Sequence, residues 1–516
     1  MIKRIKELEK ISRLLEPTAH ERKEARKKVV TYSEVFLNDI EKIKAYNVTP
    51  DKGIALHESP ISEMPMDIDK AIKLIEKNVD YPGLNPASGG HLAYIPGGGI
   101  YFSALGDYLA DIFNRYAGVF YASPGAVRME NMLIKWMAGI VGYTSAPLSS
   151  RRGAGGEAKQ AAGNLTSGGS LANLMGVVTA RDAKNISSAL IPKSVIYLTQ
   201  QVHHSVDKAI RIAGLKECVI RQVPMDERHK MNTVELEKLI SKDKKGGLNP
   251  FLVIASAGTT DVGAIDPLEE IGKIAKMYKL WYHIDAAYGG FFVLTDEGKQ
   301  KLKGIELSDS LVIDPHKGLF LPYGLGVILV KDAQKLRESH YYQAQYLQDT
   351  LFESEEMSPA DLSPELTKHF RGLRLWLPLK LMGLKPFRAC LEEKLLLTKY
   401  FYNEIQKIGF EVGTEPELSV CTYRWIPPHP ASPRPSPKER EKSQRRREEF
   451  INAFNKKLLE EVVADGRIFI SSTLLDGKFT LRFACLAFRT HLKQVDLLLK
   501  ILKEKVKMLE KKMPLP

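Results

Sequence analysis

Leu280-Trp281-Tyr282-His283-Ile284-Asp285-Ala286-Ala287-Tyr288-Gly289-Gly290 is the stretch on which the fold turns. Its first half carries apolar or aromatic side chains on both faces and ends on a carboxylate. Its second half is small. A strand that is apolar on both sides must be covered on both sides, which is the situation of a parallel sheet flanked by helices. Three other runs share the pattern: Ser194 to Leu198, Phe251 to Ala255, and Ser310 to Asp314. Helical spacing lies between them, as in Pro267 to Tyr278, where Leu268, Ile271, Ile274 and Ala275 recur on one face. Strands of this type alternating with helices predict an α/β fold with a large, mostly parallel sheet. Ligands in such sheets sit beyond the carboxyl ends of the strands. Asp285 ends one β-rich run and Lys317, in Asp314-Pro315-His316-Lys317-Gly318, follows another.

Outward from this centre the chain divides into three. Residues 91–385 form the large domain. Residues 386–516 read as a smaller C-terminal α/β domain, with strand-like Ile468-Phe469-Ile470 and Phe479 to Ala484. A terminal helix over about 491–512 is amphipathic through Val495, Leu498, Leu499, Leu502, Val506 and Leu509. Residues 1–90 are charge-rich and helical in pattern, as in Glu21 to Asn47, and need another surface to pack on. Pro427 to Glu449 opens with six prolines and continues as a charged run, the pattern of a flexible insertion. Ser149 to Gly163, rich in Gly, Ala and Arg, reads as a surface loop.

Composition narrows the function classes. A chain of 516 residues with 44% apolar content can bury more than one core. No run approaches the ~18 apolar residues of a membrane span. Met1 to Lys10 is charged throughout, without the apolar centre of a secretory signal, so a cytoplasmic location is expected. Cys218, Cys390, Cys421 and Cys485 are scattered with no C-x-x-C pair, which argues against a disulfide framework or a zinc site. No metal is expected. The net charge of +13 is partly local, since Arg434 to Glu449 alone supplies +3. A solvated basic surface is the commoner meaning of such a charge, and nucleic acid is not the expected partner.

Four segments carry chemistry. Lys317 stands directly after a strand and a proline turn, on rigid backbone, as a Schiff-base lysine must; a surface turn is the alternative. Asp285 ends a buried strand, where a carboxylate is costly without a cation; a protonated pyridine nitrogen would serve, and so would a helix-capping role. Thr166-Ser167-Gly168-Gly169-Ser170 leads into a helical run and can present N–H and hydroxyl groups to a phosphate, although Gly-Ser loops are common. His203 and His204 follow a β-rich run; in an extended segment they face opposite ways, so one imidazole could stack on an aromatic cofactor or be a buried structural histidine.

In order and spacing, with Asp285 and Lys317 32 residues apart, these segments together resemble the pyridoxal 5'-phosphate (PLP)-dependent group II amino-acid decarboxylases. That family is a branch of aminotransferase fold type I and includes the aromatic-L-amino-acid and glutamate decarboxylases. Ser123-Pro124, Phe370 to Trp376 and Leu481-Arg482-Phe483 extend the resemblance. It implies that Lys317 holds PLP as a Schiff base and that Asp285 pairs with the pyridine nitrogen. His203 would stack on one ring face and Ala287 would lie on the other. Gly169 and Ser170 would bind phosphate with His316 nearby, and Thr260 would lie beside the cofactor. Tyr346 would protonate the substrate carbon from a mobile loop over about 340–363 that carries Glu353, Glu355 and Glu356.

The resemblance also implies a homodimer, and residues 1–90 are expected to contribute to its interface because their apolar stripes need a partner. Departures from the family pattern fall at Asp314, where many relatives have Asn, and at Gly318, Arg128 and the Tyr94 to Gly99 loop; they bear on substrate choice. The expected reaction is α-decarboxylation of an L-amino acid, aromatic in preference. The alternatives are an acidic amino-acid substrate, a PLP-dependent aldehyde synthase or lyase on the same fold, and an inactive scaffold or basic nucleic-acid binder.

Overall fold

The apolar runs assemble into one seven-stranded sheet. Its strands are β1 (Ala162–Thr166), β2 (Ser194–Leu198), β3 (Val219–Gln222), β4 (Asn249–Ser256), β5 (Trp281–Asp285), β6 (Ser310–Ile313) and β7 (Gly326–Val330). They lie in the order β1-β7-β6-β5-β4-β2-β3. β7 runs antiparallel to β1 and β6, and the remaining neighbours are parallel. The computed structural model describes residues 1–95, 98–143, 160–341, 356–427 and 437–513, without the side chains of 437–442.

Period-two geometry explains why both faces of these strands are apolar. Tyr282, Ile284, Leu311, Ile313, Val327 and Leu329 enter one buried cluster. Trp281, Val312, Ile328 and Val330, which alternate with them, enter the other. The inner strands therefore feed two cores, and their charged side chains are pushed to the ends. Helix Leu268–Tyr278 covers one face through Leu268, Ile271, Ile274 and Ala275, the residues its spacing predicted.

A second, antiparallel sheet holds Phe410–Val412, Val420–Trp425, Lys478–Ala484 and Ser471–Leu475, in that order. Phe401 and Phe483 stack at its centre with ring centroids 4.2 Å apart. Helix Lys385–Lys407 joins the two halves: Phe387, Leu391 and Leu395 pack in the large core, and Leu397, Phe401 and Ile405 in the small one. Helices Ile2–Ser12 and Ala19–Asn38 bury no residue within this chain. Further on, the N-terminal segment docks on the C-terminal part of the chain. The Leu92 N–H donates to the Phe469 carbonyl (2.8 Å), the Tyr46 N–H to that of Gly466 (3.1 Å) and the Ser471 hydroxyl to that of Ala93 (2.7 Å). The four cysteines are free, and no described helix is long and apolar enough to cross a membrane.

Two local expectations are corrected. Ala162 and Gly163 are not loop residues but open β1. Any side chain at Gly163 would place its Cβ 2.2 Å from the Ile328 carbonyl oxygen, so the glycine that looked like loop composition is a packing requirement of the sheet. Residues 437–449 are not part of a flexible insertion either, because helix Pro437–Asp465 contains them. Proline is tolerated at the first helical position, and the Lys, Glu and Arg that follow are good helix formers. Residues 144–159 and 428–436 lie outside the described residues.

The new helix also supplies a partner for a buried cation. Arg424, with a side chain 4% exposed, donates to Glu448 at 2.6 Å and to Asn452 at 3.2 Å. Glu448→Ala should therefore lower stability by about 1–3 kcal/mol, because a buried guanidinium loses a charged acceptor. Denaturant unfolding measures this, and an unchanged midpoint would show that Asn452 alone suffices.

Candidate active site

The carboxyl ends of the parallel strands open into a cavity of about 510 Å³. β1 leads into Ser167, Gly168 and helix Gly169–Ala183. β2 is followed by Gln201 and His203, and β4 by Thr259 and Thr260. β5 delivers Asp285 and Ala287, and β6 delivers Asp314, His316 and Lys317. Because β7 runs the other way, its entry residues Tyr323 and Gly324 come to the same end. The residues predicted from sequence as Gly169, Ser170, His203, Thr260, Asp285, Ala287, His316 and Lys317 all line this one cavity. Tyr346, Glu353 and Glu355 lie outside the described residues. The Glu356 carboxylate accepts hydrogen bonds from Arg128 (3.2 Å) and Asn131 (2.8 Å).

Asp285 is held by its neighbours on both oxygens. Oδ1 accepts the Ala287 N–H at 3.1 Å and Oδ2 accepts Nδ2 of Asn173 at 2.9 Å. Asn173 is buried in the first helix of the cavity, and the same Nδ2 lies 3.0 Å from Ser205 Oγ. With its nitrogen committed to a carboxylate, its Oδ1 must face His283 Nε2, at 2.9 Å, and that ring nitrogen donates. His283 Nδ1 is then an acceptor for the Ser310 hydroxyl at 2.8 Å, which in turn accepts Trp281 Nε1–H at 2.8 Å. Burial pushes His283 down to about 4, so it stays neutral at pH 7 and keeps this direction.

The same chain of bonds orients His203. Its Nδ1 accepts the Ser205 backbone N–H at 3.2 Å and lies 2.7 Å from the Ser205 hydroxyl. The neutral ring therefore carries its proton on Nε2. Burial lowers its pKa from the ordinary value. His203 and His204 do not point to opposite faces as extended backbone would require. Their ring centroids are 4.0 Å apart, because His203 caps helix His204–Ile212 and the chain turns there. Both line the cavity, yet no group of three His, Cys, Asp or Glu among the described residues is placed to hold a metal.

Around Asp314 the cavity wall is closed by glycine backbone. A Cβ on Gly169 would stand 2.7 Å from Asp314 Oδ2. One on Gly326 would stand 2.7 Å from Oδ1 and 2.4 Å from the Gly168 carbonyl carbon. The helix that begins at Gly169 turns its unpaired N–H groups to this cradle, which suits an anion. Lys317 rises from the turn Pro315–Gly318, with Nζ 3.1 Å from Asp314 Oδ2. His316 donates through Nδ1 to the Leu325 carbonyl, and its pKa is lowered by burial. The Thr260 loop is pinned from the C-terminal sheet, since the Thr260 carbonyl accepts from Arg482 and the Asp261 carbonyl accepts from the same guanidinium at 2.9 Å.

An amine, a carboxylate, an imidazole and a glycine-lined helix end around one cavity fit a phosphorylated pyridine aldehyde. The Pyridoxal-dependent decarboxylase conserved domain matches residues 50–426. The chain is similar to the aromatic-L-amino-acid decarboxylase of Bacillus atrophaeus, 31% identical over 479 residues that cover 92% of this chain and 91% of that one. It is similar also to the phenylacetaldehyde synthase of Petunia hybrida, 29% identical over 443 residues, 84% of this chain and 83% of the relative. In fold it matches the solved structure of Catharanthus roseus tryptophan decarboxylase in complex with L-tryptophan, with a TM-score of 0.82, 22% identity and coverage of 96% of this chain and 99% of that one. The chain belongs to the pyridoxal-dependent decarboxylase family. It is a PLP-dependent carboxy-lyase of amino-acid metabolism.

Sequence reasoning missed Asn173, Ser205, His283 and Ser310 as a connected set. The available signal was polar residues inside elements that are otherwise buried, above all a histidine in the middle of a strand with two apolar faces. Asn173→Ala should weaken PLP binding about tenfold or more, because hydrogen bonds to a charged group are worth about 1.5–3 kcal/mol. A cofactor titration followed by absorbance measures it. Unchanged affinity would show that Asp285 and His203 keep their places without the amide.

Proposed function

We propose that the protein removes the α-carboxylate of an aromatic L-amino acid and releases CO2 and the amine. The observation that carries the reading is the convergence of Lys317, Asp285 and His203 on one cavity at the strand ends. The similarity to an aromatic-L-amino-acid decarboxylase over nearly the whole chain supports the substrate class. Lys317 would hold PLP covalently, with Asp285 against the pyridine nitrogen and Gly169 and Ser170 at the phosphate. His203 and Ala287 would bracket the ring, with Thr260 and His316 beside it. Bound PLP supplies the electron sink for the pair left when the carboxylate departs. Among the described residues no partner takes the Nε2–H of His203, which would leave it to donate to a substrate carboxylate. Tyr346 would return a proton to the α-carbon, a role that rests on its place in the sequence.

A second reading, decarboxylation with oxidative deamination in which dioxygen takes the two electrons and the products are CO2, an aldehyde, ammonia and hydrogen peroxide, is favoured by the similarity to a phenylacetaldehyde synthase. We propose also that the working form is a homodimer. Tyr101, Leu105, Tyr108 and Ile112 recur along one face of helix Tyr101–Phe113 and are exposed, as are Ile5, Leu8 and Ile11 of the first helix. These stripes lack a partner within the described chain.

Incubation with the full set of protein amino acids, with mass spectrometry of amine and aldehyde, tests the function. Aromatic amine as main product is expected; aldehyde from the wild type would replace the first reading by the second. Lys317→Ala should abolish the borohydride-sensitive visible band and leave less than about one-tenth of turnover, since loss of a covalent step costs orders of magnitude. Tyr346→Phe should keep CO2 release while shifting product from amine toward aldehyde. An unchanged ratio removes Tyr346 from the proton-donor role. Light scattering that finds an active monomer would refute the dimer.

A further inference from the structure

The cavity wall at the entry of β7 is held from outside the cavity. Tyr323 and Gly324 line that wall, and Tyr323, 57% exposed, stands at the mouth. The Tyr323 carbonyl accepts Nη1 of Arg374 at 2.9 Å. Gly324 has φ +100°, in the left-handed region, and a Cβ there would stand 3.0 Å from the same Nη1. The far end of the loop is fixed by residues of the cavity itself: the Leu325 carbonyl accepts from His316, and Gly326 closes on Asp314. Its near end is fixed by Arg374, which does not line the cavity. Arg374 stands on helix Gly372–Met382 with a side chain 13% exposed. Its Nε donates to Asp107 Oδ1 at 2.8 Å and its Nη2 to Oδ2, which leaves Nη1 for the Tyr323 carbonyl. Asp107 belongs to helix Tyr101–Phe113, and that helix is fastened at the same point. The Ser103 hydroxyl donates to the Arg374 carbonyl at 2.7 Å, and a Cβ on Gly106 would lie 2.5 Å from the Leu373 carbonyl oxygen.

A planar guanidinium committed on three N–H groups transmits position. Both carboxylate oxygens fix its plane, so the carbonyl on its third donor cannot shift without breaking the fork. We propose that Arg374 is a positioning residue for substrate binding. Anchored by Asp107, it fixes the Tyr323 backbone so that the Tyr323 side chain walls the space that receives the substrate side chain. This role rests on the reading of the cavity as the site of PLP and an aromatic amino acid. Lys317, Asp285 and His203 stand on other segments with bonds of their own. Loss of Arg374 therefore falls on substrate affinity and not on cofactor binding or bond cleavage. A lysine keeps the charge, but as a point donor it cannot grip both carboxylate oxygens and the carbonyl together.

The test uses the full chain loaded with PLP and, as probe, L-tyrosine methyl ester, which has no free α-carboxylate to lose. Its binding is read as a shift of the visible band. Arg374→Lys should raise the dissociation constant of the ester about tenfold, the scale of a lost hydrogen bond from a charged donor. KM for the aromatic amino acid turned over should rise by a similar factor, with kcat and PLP affinity unchanged to within about twofold. Tyr323→Ala should weaken the ester as well, and Arg374→Lys should add nothing further in the double variant. Asp107→Ala, which removes the anchor and touches neither Tyr323 nor the cavity, should act in the same direction. Unchanged ester affinity in Arg374→Lys or in Asp107→Ala overturns the proposal and leaves the cofactor site standing. Full additivity in the double variant overturns it too, as does a loss shared by kcat and PLP affinity, the mark of a merely structural role. If Arg374→Lys does not fold, Asp107→Ala takes its place in the double variant. If the wild type holds PLP but takes no ester, the aromatic reading fails and this role with it. If no band of lysine-bound PLP forms, the cofactor reading fails as well.

Discussion

Except at the edge strand β3, the strands of the central sheet are buried on both faces, and the charged groups of the cavity therefore gather at the strand ends. β5 and β6 are buried at every position and pair in parallel with their backbone groups satisfied inside the ladder. A carboxylate or amine within such a strand would have no solvent and no partner. At the carboxyl edge the same groups meet the loops, helix ends and water of a single cavity. Parallel direction brings Asp285, Asp314 and Lys317 there from adjacent strands, and the reversed β7 contributes its entry instead of its exit.

Within the cavity, order comes from a directional chain of hydrogen bonds and not from charge pairing alone. Trp281 and Asn173 have fixed donors, Asp285 is an acceptor, and between them each hydroxyl and imidazole has one workable orientation. Burial keeps His283 neutral, so the chain does not reverse at neutral pH. The consequence reaches His203, whose free N–H is directed away from Ser205. The glycine-lined end is built on the opposite principle: the backbone at Gly168, Gly169 and Gly326 closes around the Asp314 carboxylate.

The C-terminal sheet is more than an appendage to this site. Arg482 reaches back to the carbonyls of Thr260 and Asp261, and Tyr288 is hydrogen-bonded to Ser419. Helix Lys385–Lys407 contributes to both cores, so relative movement of the two sheets would disrupt packed aromatic and aliphatic contacts on one side or the other.

How much of this was legible depends on the range of each signal. Strands with two apolar faces, helices with a 3.6-residue stripe, and polar residues at strand ends are local patterns, because backbone periodicity imposes them residue by residue. They were enough to place the parallel sheet and to single out Asp285, Lys317, His203 and the Gly168-Gly169 turn. Gly163 was misread because its need for a bare Cα arises from Ile328, far away in the chain. The charged run over 437–449 was misread because prolines before it masked a helix whose purpose, an acceptor for Arg424, lies on a strand. The adjacent histidines were misplaced because a helix cap, not an extended segment, holds them. By itself the sequence determined the alternation of elements and which residues end at the sheet's carboxyl edge, since those follow from local periodicity. Tertiary structure alone decided that Asn173 joins Asp285 to His283 and that Asp314 lies between two glycines. Both are contacts between distant segments, and packing selects them only when the strands close side by side.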